Sequence, residues 1–199
     1  MDVEAPRIVQ VGDPVLRAAT AAVDPSAIRT REIQNLIEGM VAAMHKAPGI
    51  GLAAPQVGVS KRIIVMEDRS EMTAGLPPVV LIEREREPQP LRVLINPVMT
   101  MVGAETRDFF EGCLSIAGYT AMVTRSREVA VSYLDEEGNP REWRARGWPA
   151  RVMQHEYDHL ECVLYTDKMI RQSFMSTEEF KARHGTKLIA DLKQELGIP

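Results

Sequence analysis

The sequence predicts an α+β fold in which mostly antiparallel strands pack around a central helix carrying two histidines, with one further helix near each end. Three observations support this. A long amphipathic stretch precedes a series of short segments rich in branched residues, a turn signal at 135–139 around Gly138 joins two of those segments, and the helical pattern returns only beyond residue 148.

The first helix rests on Ile33, Leu36, Ile37, Met40, Val41 and Met44, which recur at helical spacing between Ile28 and Met44. Its start falls between Pro25 and Arg31, and Pro48-Gly49 stops it. Short strands are expected at "RIIVMED" (62–68), "PVVLI" (78–82), "RVLINPVM" (92–99), "EVAVSYLD" (128–135) and "REWRARGW" (141–148). The charged run "EREREP" (83–88) reads as a solvated loop. "WPARVMQHEYDHLECVLY" then turns helical, with Pro149 suited to a first turn and Val152, Met153, Leu160 and Val163 available to a core. A last helix begins near Ser176, where "STEE" resembles a capping box, and Leu188, Ile189, Leu192 and Leu196 extend the packed stripe.

With 199 residues, 45% of them apolar, and a net charge of −4, the chain is expected to form one domain over 1–199. The 24 basic and 28 acidic residues are interspersed and supply no basic stripe, so no nucleic-acid partner is indicated. No apolar run approaches the ~20 residues that span a bilayer, and "MDVEAPRIVQ" has no signal core, so a soluble, unexported protein without a membrane partner is expected. Two cysteines, Cys113 and Cys162, are too few for a disulfide framework.

His155 and His159 stand four residues apart around Glu156, so on a helix both rings reach one ion while Glu156 lies beside them. A catalytic site normally adds a third protein ligand. Cys162 is seven residues past His155, about 10 Å further along the axis at ~1.5 Å per residue, which disfavours it. A metzincin continuation fails, because Cys162 and Tyr165 stand where glycine and a third histidine belong. Glu178 or Glu179 downstream remains a possible acidic ligand, and Cys113 in "FFEGCLSIAGY", a loop or bent strand, a possible thiolate ligand. In "PGIGLAAPQVG" (48–58) the glycines permit close backbone approach to a substrate, and Gln56 is a neutral donor; a phosphate-loop reading is weak without G-K-[ST]. A metal module without catalysis, with Cys162 as fourth ligand, is the non-enzyme alternative. Asp158 is a candidate supporter of the site through Arg125, or an ordinary surface ion pair. His45 and His184 read as exposed helix-end residues, and Trp143 and Trp148 as packing anchors.

Together "GIGLAAPQ" (49–56), "EGCLS" (111–115) and "QHEYDH" (154–159) resemble the three signature motifs of the peptide deformylases. The signature region covers about 14–170, leaving 171–199 as a C-terminal helical extension. "GWPARVMQHE" and "YTDKM" look closest to the branch that includes organellar and plant forms. Two departures are Ala117, where many bacterial members have proline, and Cys162, where glycine is common. The resemblance implies a hydrolase that removes the N-formyl group from the initiator methionine of nascent polypeptides. It implies Cys113, His155 and His159 as ligands of one divalent metal ion per chain, with Fe(II) expected and Zn, Ni or Co compatible with the ligand types. Glu156 becomes general base and acid, Gln56 and the Leu114 N–H oxyanion donors, and Ile50, Gly51, Leu52, Glu111 and Gly112 substrate-binding residues. The implied partners are N-formylmethionyl nascent peptides, with the ribosome exit region as a candidate. The implied compartment is the cytoplasm in a bacterium and an organelle matrix in a eukaryote.

Overall fold

The computed structural model describes residues 4–198. Helix α1 (Arg31–Lys46) buries Ile33, Ile37, Met40 and Met44, as its spacing predicts. Strands β1 (Gly51–Ala53) and β2 (Ile63–Asp68) follow, then helix α2 (Pro78–Arg84) and strand β3 (Gln89–Met101). Strands β4 (Thr106–Cys113), β5 (Ile116–Ser126), β6 (Glu128–Leu134) and β7 (Pro140–Arg146) lead into α3 (Trp148–Leu160). The chain closes with α4 (Tyr165–Lys168), β8 (Met175–Ser176), α5 (Thr177–Arg183) and α6 (Ile189–Leu196). Ser176 caps α5 by accepting the Glu179 N–H at 3.1 Å.

The strands form two antiparallel sheets, one in the order β1-β2-β3-β6-β7 and a smaller one in the order β4-β5-β8. The larger sheet is covered on both faces. Ile63 and Val65 of β2 face the α1 layer, whereas Ile64 and Met66 face the α3 layer, which is why "IIVM" is apolar without alternation. Helix α3 touches β1, β2, β3 and β7 of the larger sheet and β5 of the smaller, so it lies between the two. At the β6–β7 hairpin the Asp135 carboxylate accepts the N–H groups of Glu137 and Asn139 at 3.0 and 2.8 Å, and the Gly138 N–H bonds back to the Asp135 carbonyl.

Several expectations are corrected. "PVVLI" is helical: Pro77 and Pro78 preset a first turn, Val80 is buried, and Val79 and Ile82 are exposed. A five-residue apolar run does not distinguish strand from helix by periodicity. The "EREREP" run is not a solvated loop. Glu83 caps the Ile189 N–H at 2.9 Å, Glu85 binds Arg127 and Arg146, and Arg86 forms a fork with Asp68 in which both side chains are 8% exposed. Both outlying histidines lie at helix ends as expected; His45 is partly exposed and pairs with Glu67, whereas the His184 side chain is 12% exposed beside Phe180 and Glu195. The pairing of β4 with β5 was hidden because Gly112 and Gly118 break the local pattern; the long ladder from Thr106↔Ser126 onward holds it together. Gly147, at φ +66°, joins β7 to α3, and a Cβ there would lie 2.4 Å from the Glu85 Cβ.

Candidate metal centre and its cleft

Helix α3 presents His155 and His159 one turn apart, their ring centroids 5.3 Å from each other and both rings buried. Cys113 arrives from the end of β4, with its Sγ 3.3 Å from His159 Nε2. One donor atom from each of the three lies within 4.8 Å of the others, close enough for a single ion. A soft sulfur with two imidazoles suits a borderline divalent metal, and the buried His159 Nδ1, which has no protein partner, leaves that ring free to orient toward an ion.

Neither rival ligand joins this cluster. The Cys162 thiol donates to the Ala18 carbonyl at 3.1 Å, and its residue sits past the end of α3 at φ +61°, the left-handed conformation that glycine adopts most easily. Glu178 and Glu179 are exposed on α5, where Glu179 pairs with Arg183.

Behind the histidines lies a buried charge network. His155 Nδ1 meets Glu111 Oε2 at 2.9 Å, which leaves Nε2 to face an ion. The same carboxylate accepts from Arg125 Nε and Nη2 at 3.0 and 2.9 Å and from Arg151 Nη1 at 2.6 Å. Arg125 also reaches Asp158, which accepts Lys168 Nζ at 2.6 Å, so Asp158 supports the site and is not an ordinary surface pair. Burial alone would raise the Glu111 carboxyl, but the His155 hydrogen bond and the Arg125 charge hold it far below the usual range. Burial opposes protonation of His155, and the bonds to Cys113 and Glu111 reverse this and raise it; burial, followed by the His155 and Arg125 charges, holds His159 well down. Glu111, expected to bind substrate, has its carboxylate engaged by these donors. Arg151 escaped notice in the sequence, although it lies four residues before His155 on the same helical face.

Glu156 is 4% exposed, and its Oε2 has no protein partner. Burial, then the neighbouring carboxylates against the opposing His155 and Arg125 charges, pushes it up to about 7. The backbone of β1 presses on it: a Cβ on Gly51 would lie 2.5 Å from Glu156 Oε1. This glycine thus admits a protein carboxylate, and it also lines the cleft. Leu52 is fully buried in the α1 layer. Gln56, 1% exposed, accepts the Ala53 N–H at 2.8 Å through Oε1 and directs Nε2 toward Cys113 Sγ at 3.5 Å and Ser115 Oγ at 3.3 Å. Leu114 lies in the two-residue turn between β4 and β5, with its side chain against Gly49.

A cleft of about 480 Å³ opens over these groups, bounded by Gly49, Ile50, Gly51 and Gln56 on one side and by Phe110, Glu111, Gly112, Cys113 and Leu114 on the other. β1 is an edge of the larger sheet and β4 an edge of the smaller, so free strand edges flank the cleft. Trp148, Arg151, Val152, His155 and Glu156 of α3 form its floor. Among the described residues no helix is long and apolar enough to cross a membrane.

The family model for polypeptide deformylase matches residues 5–175. Peptide deformylase 1A, chloroplastic/mitochondrial, of Arabidopsis thaliana is 44% identical over 88% of this chain, which spans 65% of that relative's length. The mitochondrial peptide deformylase of Homo sapiens is 40% identical over 84% of this chain and 69% of its own. A class I type b peptide deformylase from Acinetobacter baumannii with Met-Ala-Ser bound superposes with a TM-score of 0.75 at 30% identity, covering 85% of this chain and 100% of that one.

Proposed function

The chain belongs to the peptide deformylase family, and from that premise we propose that it hydrolyses the N-formyl group of formyl-methionyl peptides, releasing formate and a free amine. The observation that carries the reading is the Cys113–His155–His159 cluster with the partnerless Glu156 carboxylate on the same helix. Cys113, His155 and His159 would hold one divalent ion, Fe(II) by family expectation, with Zn, Ni or Co compatible with the donors. When bound, the ion supplies Lewis acidity that polarises a carbonyl oxygen and makes water a stronger acid near neutral pH.

The protein's own groups divide the rest. The partnerless Glu156 Oε2 accepts a proton from the attacking water and returns it to the departing amine nitrogen. Gln56 Nε2, fixed by its Oε1 bond to the Ala53 N–H, and the Leu114 N–H donate to the oxygen on which charge develops. The Glu111 carboxylate keeps the His155 ring in one tautomer and orientation. An extended peptide adds alongside the two strand edges at Gly49–Gly51 and Glu111–Gly112, and Ile50, Val152 and Phe110 give the first side chain an apolar wall. The Met-Ala-Ser bound to the Acinetobacter relative supports a peptide of that kind. Residues 1–199 are read as one deformylase domain, with the segment after about 170 as an extension. Nascent chains leaving the ribosome are its substrates.

The test is formate release from formyl-Met peptides by freshly purified, anaerobically handled protein, with elemental analysis for metal. Activity with about one metal per chain, lost in Glu156→Ala and Cys113→Ser, is the expected result. Full activity in Glu156→Ala would remove the proton carrier from the mechanism.

A further inference from the structure

The far end of the cleft carries charge that the chemistry above does not use. Four cationic side chains line the cleft, Arg84, Arg86, Arg151 and Lys181, against two carboxylates, Glu111 and Glu156. Arg86 is neutralised by Asp68 at 2.7 Å and Arg151 by Glu111 at 2.6 Å. Arg84 and Lys181 form no ion pair among the described residues, and the Arg84 side chain donates no hydrogen bond there. Arg84 Nε is buried without a partner while its guanidinium carbon lies 5.1 Å from the centre of the Trp148 ring, which Arg86 also approaches at 5.2 Å. The nearby acids are engaged elsewhere: Glu83 on the Ile189 N–H, and Glu85 on Arg127 and Arg146.

A guanidinium without an ion-pair partner, packed against an indole, is a receptor for a carboxylate, which accepts from its fork of donors. Burial and the adjacent Arg86 charge lower its proton affinity to about 10, a cost that an incoming anion relieves. Trp148 and His155 lie on one α3 stripe about two turns apart, about 10 Å along the axis, and Arg84 packs against Trp148. An extended peptide covers that span in about three residues.

Resting on the deformylase reading, we propose that Arg84, assisted by Lys181, determines specificity by selecting formyl-methionyl peptides that carry a carboxylate beyond the first residue. The sources to distinguish are a glutamate at the second or third position, after the methionine.

The test measures kcat/KM for formate release by the metal-loaded full chain, using C-terminally amidated formyl-Met peptides with glutamate, glutamine or lysine placed at the second and third positions in turn. At one position glutamate is favoured over glutamine by about tenfold, the scale of a charge-assisted hydrogen bond, and lysine is disfavoured. Arg84→Glu inverts the order in favour of lysine, and Arg84→Lys retains it. Formate release with equal kcat/KM for glutamate and lysine peptides at all positions overturns the subsite and leaves the hydrolase reading intact. No formate from any peptide, with metal bound, overturns both. A readout independent of turnover and of folding of the variant is titration of the native protein with unformylated amidated peptides, followed by tryptophan emission; the glutamate peptide must bind more tightly than its lysine counterpart.

Discussion

Replacing Gly51 with alanine sets strand β1 directly against the proposed proton carrier. The added Cβ would lie 2.5 Å from Glu156 Oε1 and 2.8 Å from both Cδ and Cγ, inside the 3.0 Å that real Cβ atoms respect. The strand cannot retreat, because Gly51, Leu52 and Ala53 pair with Met66, Val65 and Ile64, and Leu52 and Ala53 are fully buried. Glu156 must therefore swing aside by roughly 1 Å, a misplacement that typically costs about a hundredfold in rate. Overpacking of this kind costs about 1–3 kcal/mol of stability, or roughly 2–4 °C per kcal/mol for a chain of this size. The assay pairs kcat for formate release with thermal unfolding and metal content. The expected result is kcat down by about two orders of magnitude, a modest fall in Tm and metal content unchanged, since no ligand is touched. Gly112→Ala is the steric control for folding, because its Cβ would meet only the Tyr119 carbonyl at 3.7 Å. A Gly51→Ala protein with kcat within about twofold of the parent would refute the claim that this glycine exists to seat Glu156, since a displaced base should cost far more.

Three other outcomes follow from the same geometry. Glu111→Gln leaves Arg125 and Arg151 short of a counter-charge and loosens His155, so metal affinity should fall about 10–100-fold by competitive chelation, with a lower Tm; unchanged metal affinity would deny Glu111 its orienting role. Cys162→Gly relieves a left-handed backbone that glycine tolerates and should raise stability by up to about 1 kcal/mol despite losing the bond to Ala18, as read by denaturant melts; a loss of metal would instead make Cys162 a ligand. For Asp135, burial alone would raise the carboxyl, but the N–H of Asn139 and the Arg141 side chain lower it in the fold. Its contribution is therefore present above the unfolded value near ~4 and lost as pH falls through the lower folded value. Asp135→Asn should flatten acid unfolding in that window, and an unaltered acid transition would sink the assignment.

Much of the site was legible because its chemistry is local. The i, i+4 spacing of His155 and His159 places both rings on one face of any helix, and the α1 stripe follows from the same period. The axial rise also disfavours Cys162 as a ligand, and its thiol faces Ala18. Cys113 was harder to place: in the residues alone it was one candidate among several, and the motif resemblance singled it out. The charged run at 83–88 misled because charge reads as solvation when its partners, Asp68, Arg127, Arg146 and Trp148, are far away in sequence.

The sequence by itself determined the residue types of the centre, the helix that carries two of its ligands and the apolar stripe of α1, all of which are set by spacing within a few residues. The tertiary structure alone decided how Cys113 and the histidines come together, that the Glu111 carboxylate engages the His155 ring, that Gly51 yields its volume to Glu156, and that "PVVLI" coils where its period permitted either state. Each of these depends on contacts between segments tens of residues apart, whose geometry is fixed by long-range strand pairing and packing against α3.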